Sequence, residues 1–176
     1  MISEMKQFVP SEVCLGCDGC CRFKEEDSAW RPRITDSEKK QISTKPGLAD
    51  KIFSKVKVGD DHQLTTVLCH GLHICTFFNP EHNTCGIYHA RPFDCQLYPF
   101  VMTRNEGRAV VSVHLLCPHI QEKKDSEEFV QYAQYLRGFF ARPDVITFLQ
   151  KNPFMIGDYS PYRDELEELF ELNLGS

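Results

Sequence analysis

The feature that most constrains this chain is a run of four cysteines near its amino end, Cys14-Leu-Gly-Cys17-Asp-Gly-Cys20-Cys21. A two-residue spacing lets neighbouring thiolates reach one metal centre. Structural zinc sites usually take one such pair from each of two loops, whereas three cysteines in continuous spacing are typical of a bacterial iron–sulfur site. Four cysteines within eight residues disfavour the alternative of inert buried thiols. The run therefore predicts a thiolate-bound metal centre.

Cys20 and Cys21 are adjacent, and adjacent side chains usually diverge, so both rarely serve one small tetrahedral site. Either the two thiols serve two centres, or one is a ligand and the other is a reactive or structural thiol. The spacing alone does not choose between these alternatives.

Five further cysteines follow, and three of them, Cys75, Cys85 and Cys95, are ten positions apart. They supply the distant ligands that a closed metal site requires. Cys117-Pro118 has the form of a remote iron–sulfur ligand followed by proline. Cys69 is the remaining thiol. The total of nine is odd and argues against a fully paired disulfide framework.

Length and composition predict one globular domain spanning residues 1–176, since the chain is 41% hydrophobic and 26% charged. A cysteine-rich metal-binding body at 14–120 would precede a helical extension at 121–176. The net charge of −5 and the scattered basic residues argue against a nucleic-acid partner. No apolar run approaches the ~20 residues of a membrane span, and no secretory signal is evident. We therefore expect a cytoplasmic protein with reduced thiols.

Local patterns predict a small, loop-rich α+β fold with a short antiparallel sheet and a C-terminal helical segment. Thr35-Asp-Ser-Glu38 has the spacing of a capping box, so a helix should begin near Asp36 and end before Pro46. A second short helix is expected at 48–54 and a strand at 63–68. Residues 69–97 are expected to be irregular, with short helical turns.

The second half of the chain shows clearer periodicity. Strands at 99–103 and 108–116 should form a hairpin around Gly107. A helix is expected from Asp125 to about Ala141, and another at 144–151. Ser160-Pro161 predicts a last helix, running to about Leu172. The apolar face of the first of these helices comprises Phe129, Val130, Ala133, Leu136, Phe139 and Phe140.

Taken together, the motifs resemble the YkgJ-type cysteine-cluster proteins, a family described as a zinc- or iron-chelating domain. The resemblance covers roughly residues 14–120 and rests on the C-x2-C-x2-C-C loop, Thr35-Asp-Ser-Glu38, Cys75-Thr-Phe-Phe, Cys85-Gly-Ile-Tyr, Arg91-Pro and Cys117-Pro-His-Ile. It implies that the ligands of the metal or cluster are Cys14, Cys17, Cys20, Cys21, Cys75, Cys85, Cys95 and Cys117. Cys69 does not match, and Gln96 stands where the family commonly has arginine.

Other residues near the cysteines in sequence have supporting roles at most. A thiolate-rich centre needs cations and N–H donors around it, for which Arg22, Lys24 and Arg91 are candidates. His70 and His73 flank the cysteines too, but with enough thiols present we interpret them as structural or exposed side chains.

The sequence thus predicts a metal-binding protein that holds an iron–sulfur cluster, [4Fe–4S] in type, or zinc. The alternative is a redox or cluster-dependent enzyme that modifies a protein or peptide substrate. A related cysteine module occurs in proteins named flagellin lysine-N-methylase, which is why the resemblance leaves this alternative open. The sequence identifies neither catalytic residues nor a protein partner. A zinc-stabilised interaction domain is a third interpretation.

Overall fold

A computed structural model describes residues 5–17, 19–44 and 62–175. Short helices and small antiparallel sheets alternate along the chain, which confirms the predicted α+β class. The chain divides into two compact units. The cysteine unit comprises the described parts of 11–96, and the hairpin unit comprises those of 1–10 and 97–176. That these units form one domain, with a metal-binding body at 14–120, stays a prediction.

The cysteine unit consists of very short elements around one small sheet. Its elements are α1 (Ser11–Gly16), β1 (Arg22–Phe23), α2 (Asp36–Ser43), β2 (Thr66–Cys69), β3 (Leu72–Cys75), β4 (Phe78–Asn79), β5 (Thr84–Cys85), a 3-10 turn (Tyr88–Ala90) and α3 (Phe93–Leu97). Strands β1, β3 and β2 form an antiparallel sheet in that order, and β4 and β5 form a separate pair.

Helix α2 begins where the capping box predicts. The Glu38 N–H donates to the Thr35 hydroxyl at 3.3 Å, and the Thr35 N–H donates to the Glu38 carboxylate at 2.8 Å. These reciprocal bonds satisfy backbone donors that a helix start otherwise leaves unpaired. The helix ends at Ser43, before Pro46, as expected. The helix predicted at 48–54 lies outside the described residues.

A tight hairpin joins β2 to β3 within the stretch that the sequence pattern predicted to be irregular. Cys69 pairs with Leu72, which leaves a two-residue loop of His70 and Gly71. Both loop residues have positive φ, 49° and 81°, as a type I′ hairpin turn requires. The strand predicted at 63–68 begins later, at Thr66, and extends to Cys69. The expectation of irregular chain was therefore wrong at Leu72–Cys75.

The core of the cysteine unit is small and includes thiols. Buried aliphatic and aromatic side chains meet one buried cysteine, Cys75, while Cys21 and Cys85 pack against them half-buried. Free cysteine behaves as a small apolar side chain when it is protonated. The thiols therefore take part in packing as well as in chemistry. The buried aliphatic and aromatic members of this core are Ile34, Ile42, Leu64, Phe77 and Ile87.

The hairpin unit is built on an antiparallel sheet of β6 (Phe100–Asn105), β7 (Arg108–His114) and β8 (Leu166–Glu171), in that order. The predicted hairpin is confirmed: Asn105 pairs with Arg108, and the loop residues Glu106 and Gly107 have φ of 52° and 82°. The elements are β6 (Phe100–Asn105), β7 (Arg108–His114), α4 (Pro118–Lys123), α5 (Glu127–Phe140), α6 (Pro143–Lys151), 3-10 turns (Pro153–Met155 and Ser160–Glu165) and β8 (Leu166–Glu171).

Helices α5 and α6 lie where they were predicted, but the buried face of α5 differs. The Ser126 hydroxyl accepts the Phe129 N–H and caps α5, while Pro143 begins α6. Val130 was assigned to the apolar face, yet it is 52% exposed. Tyr132 occupies the face instead and is buried, because its ring packs against Phe8 and its hydroxyl donates to the Lys6 carbonyl.

The last predicted helix was wrong. Ser160-Pro161 begins only a 3-10 turn that ends at Glu165, and Leu166–Glu171 forms strand β8 against β7. Burial explains the difference, since Phe170 packs inward opposite Val111 on β7. Pairing with a buried strand outweighed the helical pattern of local charges and apolar residues.

The helices of the described residues are short compared with a membrane span. The longest described helix, α5, has 14 residues. No described helix is long and apolar enough to cross a bilayer.

The revised face of α5 is testable with two alanine variants on the same helix. Leu136 is fully buried, so Leu136→Ala should lower the free energy of unfolding by about 2–5 kcal/mol. Val130→Ala should change it by less than about 0.5 kcal/mol, because that side chain is exposed. Urea unfolding followed by circular dichroism measures both values. Equal destabilisation by the two variants would show that Val130 belongs to the buried face, as the sequence pattern predicted.

Candidate metal centre

The N-terminal cysteines are held by a short helix and the turn that follows it. Cys14 lies in α1, and the Cys17 N–H donates to the Cys14 carbonyl at 3.3 Å. Cys20 and Cys21 precede β1, whose pairing with β3 aligns this loop with the sheet. The Cys75 N–H then donates to the Cys21 carbonyl at 3.0 Å. This bond joins the N-terminal loop directly to the strand that carries a distant cysteine.

The three later cysteines of the unit lie on three different elements. Cys75 ends β3, and Cys85 ends β5 opposite Phe78. Cys95 lies in α3, which begins directly after Arg91-Pro92. Three different kinds of element, the end of a strand, a strand of a short pair and a helical turn, therefore carry these cysteines. The ten-residue spacing does not reflect a regular structural repeat.

Seven thiols interact with one another and form what we call the thiol group. Cys20 is central, because its thiol hydrogen-bonds with those of Cys14 and Cys21. Charge interactions link Cys20 to Cys17 and link Cys75 and Cys95 to Cys20 and Cys85. The Cys20 and Cys21 thiols share a hydrogen bond, and which of the two is a ligand stays a prediction. The thiol group comprises Cys14, Cys17, Cys20, Cys21, Cys75, Cys85 and Cys95.

Burial and mutual contact raise the pKa values of five of these thiols. Burial raises the pKa of Cys75 to about 12, and it also raises the pKa values of Cys85 and Cys95. For Cys14, the hydrogen bond with Cys20 is the main cause of a strongly raised pKa. For Cys20, the bond with Cys14 lowers the pKa, but the bond with Cys21 and burial outweigh it.

Of the three cations predicted to support the thiols, Arg91 is one that donates a hydrogen bond to a cysteine sulfur. Its Nη1 donates to the Cys14 sulfur at 3.7 Å, and its Nε donates to the Tyr88 carbonyl at 3.1 Å. The guanidinium also lies 3.7 Å from the centre of the Tyr88 ring. Its charge lowers the pKa values of Cys14 and Cys85 against the other influences. The Gln96 side-chain amide donates to the Arg91 carbonyl at 2.8 Å and so helps to fix the backbone of Arg91.

The other predicted cations have different places. Arg22 donates to the Asn83 side chain at 3.1 Å and lies over the Phe78 ring. Asn83, which the sequence analysis did not identify, donates to the Leu15 and Cys17 carbonyls at 2.9 and 3.2 Å. It therefore ties the cysteine loop to the turn before Cys85. Its φ of 51° is one that asparagine tolerates. Lys24 is exposed.

Two cysteines have other surroundings. Cys69 ends β2 beside the His70-Gly71 turn, on a hairpin whose Leu68 is 70% exposed. Cys117 belongs to the hairpin unit, where it is buried, precedes α4 and donates its N–H to the His114 carbonyl. Its role as a ligand stays a prediction from the family resemblance.

The thiol group offers a metal sulfur donors alone. Among residues 5–17, 19–44 and 62–175, no three His, Cys, Asp or Glu side chains are set to hold a metal ion. The thiols hydrogen-bond to one another instead, as neutral thiols do. Coordination would replace these hydrogen bonds and release the thiol protons. The donor set itself, with sulfur from several elements, fits a soft thiolate-bound centre.

In a comparison with known protein families, residues 13–134 match the family named CxxCxxCC, described as "Putative zinc- or iron-chelating domain". This range includes the whole thiol group and Cys117. No curated protein and no solved structure matches the chain at a significant level.

The Arg91 contact predicts a change in thiol reactivity. Arg91→Ala removes a charge that lowers the pKa of Cys14, so the thiolate fraction of Cys14 should fall and its alkylation should slow several-fold between pH 7 and 10. Iodoacetamide labelling of reduced, metal-free protein, with fragment-ion mass spectrometry, measures each cysteine separately. Arg91→Lys should retain most of the reactivity. Lys24→Ala, at an exposed side chain, is the control. An unchanged Cys14 rate in Arg91→Ala would contradict the assignment.

Proposed function

Since the chain belongs to the CxxCxxCC family of zinc- or iron-chelating domains, we propose that the thiol group binds an iron–sulfur cluster of the [4Fe–4S] type. The observation that carries this proposal is the gathering of seven free thiols from four separate segments of one small unit. Thiols this close to one another give up their protons together only when a cation compensates for the charge.

The chemistry of the donors supports a soft metal. Thiolate ligands favour zinc, copper(I) and iron–sulfur clusters, whereas magnesium and calcium take oxygen ligands. Asp94 is next to Cys95, but its carboxylate accepts the Arg33 N–H at 2.8 Å and pairs with the Arg33 guanidinium. That carboxylate is therefore used inside the fold, and sulfur atoms supply the proposed coordination.

The ligand spacing favours iron–sulfur over zinc. Cys14, Cys17 and Cys20 have the continuous two-residue spacing of bacterial clusters, which take a fourth cysteine from elsewhere. Cys75, Cys85 and Cys95 each interact with this region or with one another and are the candidates for the fourth place. The remaining thiols then surround the cluster or serve a second centre. The cluster would supply an electron-accepting group and a covalent link between distant segments.

The surroundings suit such a centre electrostatically. Four thiolates and a [4Fe–4S]²⁺ core carry a net charge of about −2, which needs N–H donors and a cation nearby. The Arg91 guanidinium already donates to the Cys14 sulfur. The backbone N–H groups of Phe77 and Phe78 bond to Cys75, and that of Ile87 bonds to Cys85. These donors lower the pKa values of the thiols and would stabilise their thiolate forms.

Metal analysis tests the proposal. Protein purified without oxygen should be brown and should contain iron and acid-labile sulfide in equal amounts. A colourless protein with stoichiometric zinc would contradict the iron–sulfur assignment and support the zinc alternative. Protein that takes up neither metal would contradict metal binding altogether.

Two serine variants provide the matched comparison. Cys20→Ser should reduce the bound metal to a small fraction of the wild-type content, because Cys20 lies at the centre of the thiol group. Cys69→Ser should keep the wild-type content, because Cys69 lies on the exposed β2–β3 hairpin. Metal loss in both variants would show that the content depends on general stability and not on the thiol group.

A further inference from the structure

The start of the Cys95 helix is fastened to a segment that contains no cysteine. The Phe93 N–H donates to Glu38 Oε1 at 2.6 Å, across 55 positions of the sequence. In the opposite direction, the Arg33 N–H donates to Asp94 Oδ2 at 2.8 Å, across 61 positions. These two bonds run between residues 33–38 and the first turn of α3. Helix α3 has only five residues, so it depends on such external bonds for its placement.

Glu38 uses both of its carboxylate oxygens. Oε2 accepts the N–H of Thr35 at 2.8 Å and its hydroxyl at 2.7 Å, which completes the capping box of α2. Oε1 is left for the Phe93 N–H. One carboxylate thus accepts three donors and joins the beginnings of two helices. A capping box alone needs only the first of these contacts.

The double contact requires a carboxylate. A carboxylate accepts at both oxygens, whereas the amide of glutamine has one accepting oxygen and a donating NH2 group. In Glu38→Gln, the NH2 group would face either the Thr35 donors or the Phe93 N–H. One of the two helix starts would lose its acceptor. The negative charge is also favoured at the N-termini of α2 and α3.

The position of α3 determines where the Cys95 sulfur lies. Cys95 follows Phe93 by two residues, in the same helical turn, and its thiol interacts with those of Cys75, Cys85 and Cys20. We infer that Glu38 is a positioning residue of the metal centre: its bond to the Phe93 N–H orients α3 so that Cys95 faces the thiol group. This inference rests on the proposed function, because it assigns Cys95 to the coordinating thiols.

The test compares three variants of the metal-loaded protein. Coordinated thiolates resist alkylation, so labelling followed by mass spectrometry reports each cysteine separately. In Glu38→Gln, Cys95 should become alkylated at least ten times faster, while Cys75 and Cys85 stay protected. Competition with a chelator should show a 10- to 100-fold lower metal affinity, as is typical when a supporting residue is changed.

Two controls separate positioning from loss of stability. Thr35→Ala weakens the cap of α2 but leaves the bond between Glu38 and Phe93, so Cys95 should stay protected. Asp36→Asn changes an 85% exposed side chain on the same helix and should have no effect.

Three results would overturn the inference. They are unchanged protection of Cys95 in Glu38→Gln, equal loss of protection at Cys75, Cys85 and Cys95, and the same loss in Thr35→Ala. Each would leave the proposed function standing, because the wild type would still hold its metal. A wild type that purifies without metal, and takes up none, would instead contradict the proposed function itself, and this inference with it.

Discussion

The packing of cysteine side chains into a small apolar core is the constraint on which the cysteine unit depends. Cys75, Cys21 and Cys85 contribute to this core alongside a few aliphatic and aromatic side chains. Burial raises the pKa of Cys75 to about 12, so at this position the core favours the thiol over the thiolate. A small unit with so limited a core gains much from a cross-linking metal. We therefore expect metal binding and folding of this unit to be linked.

The elements that present the thiols are too short to be stable by themselves. Strands of two residues and a helix of five provide few backbone bonds. Side chains supply the missing connections: Asn83 reaches the Leu15 and Cys17 carbonyls, and Glu38 reaches the Phe93 N–H. Polar side chains distant in sequence thus fix the geometry around the sulfur atoms. The geometry of the site thus depends on residues that are not themselves members of the thiol group.

Short sequence motifs correctly predicted the helix start and the hairpin turn that neighbouring residues determine. The capping box at Thr35 gave the start of α2, and Gly107 gave the β6–β7 turn. The His70-Gly71 turn has the same signal, a glycine with positive φ after a residue that also adopts it, but the flanking strand pattern is weak. Strand β8 was predicted as helix because its pairing with β7 is a tertiary effect. The contacts of Glu38 and Asn83 were beyond prediction, since they join residues 55 to 68 positions apart.

Cysteine spacing likewise predicted which cysteines belong to the thiol group, but not which of their thiols hydrogen-bond to one another. It identified seven cysteines that the fold brings together, but not the contact between the Cys20 and Cys21 thiols. Whether these sulfur atoms coordinate a metal can be measured by X-ray absorption at the metal edge of anaerobically purified protein. We expect the first coordination shell to contain sulfur alone, with short iron–iron distances if the centre is an iron–sulfur cluster. A first shell dominated by nitrogen and oxygen would contradict it.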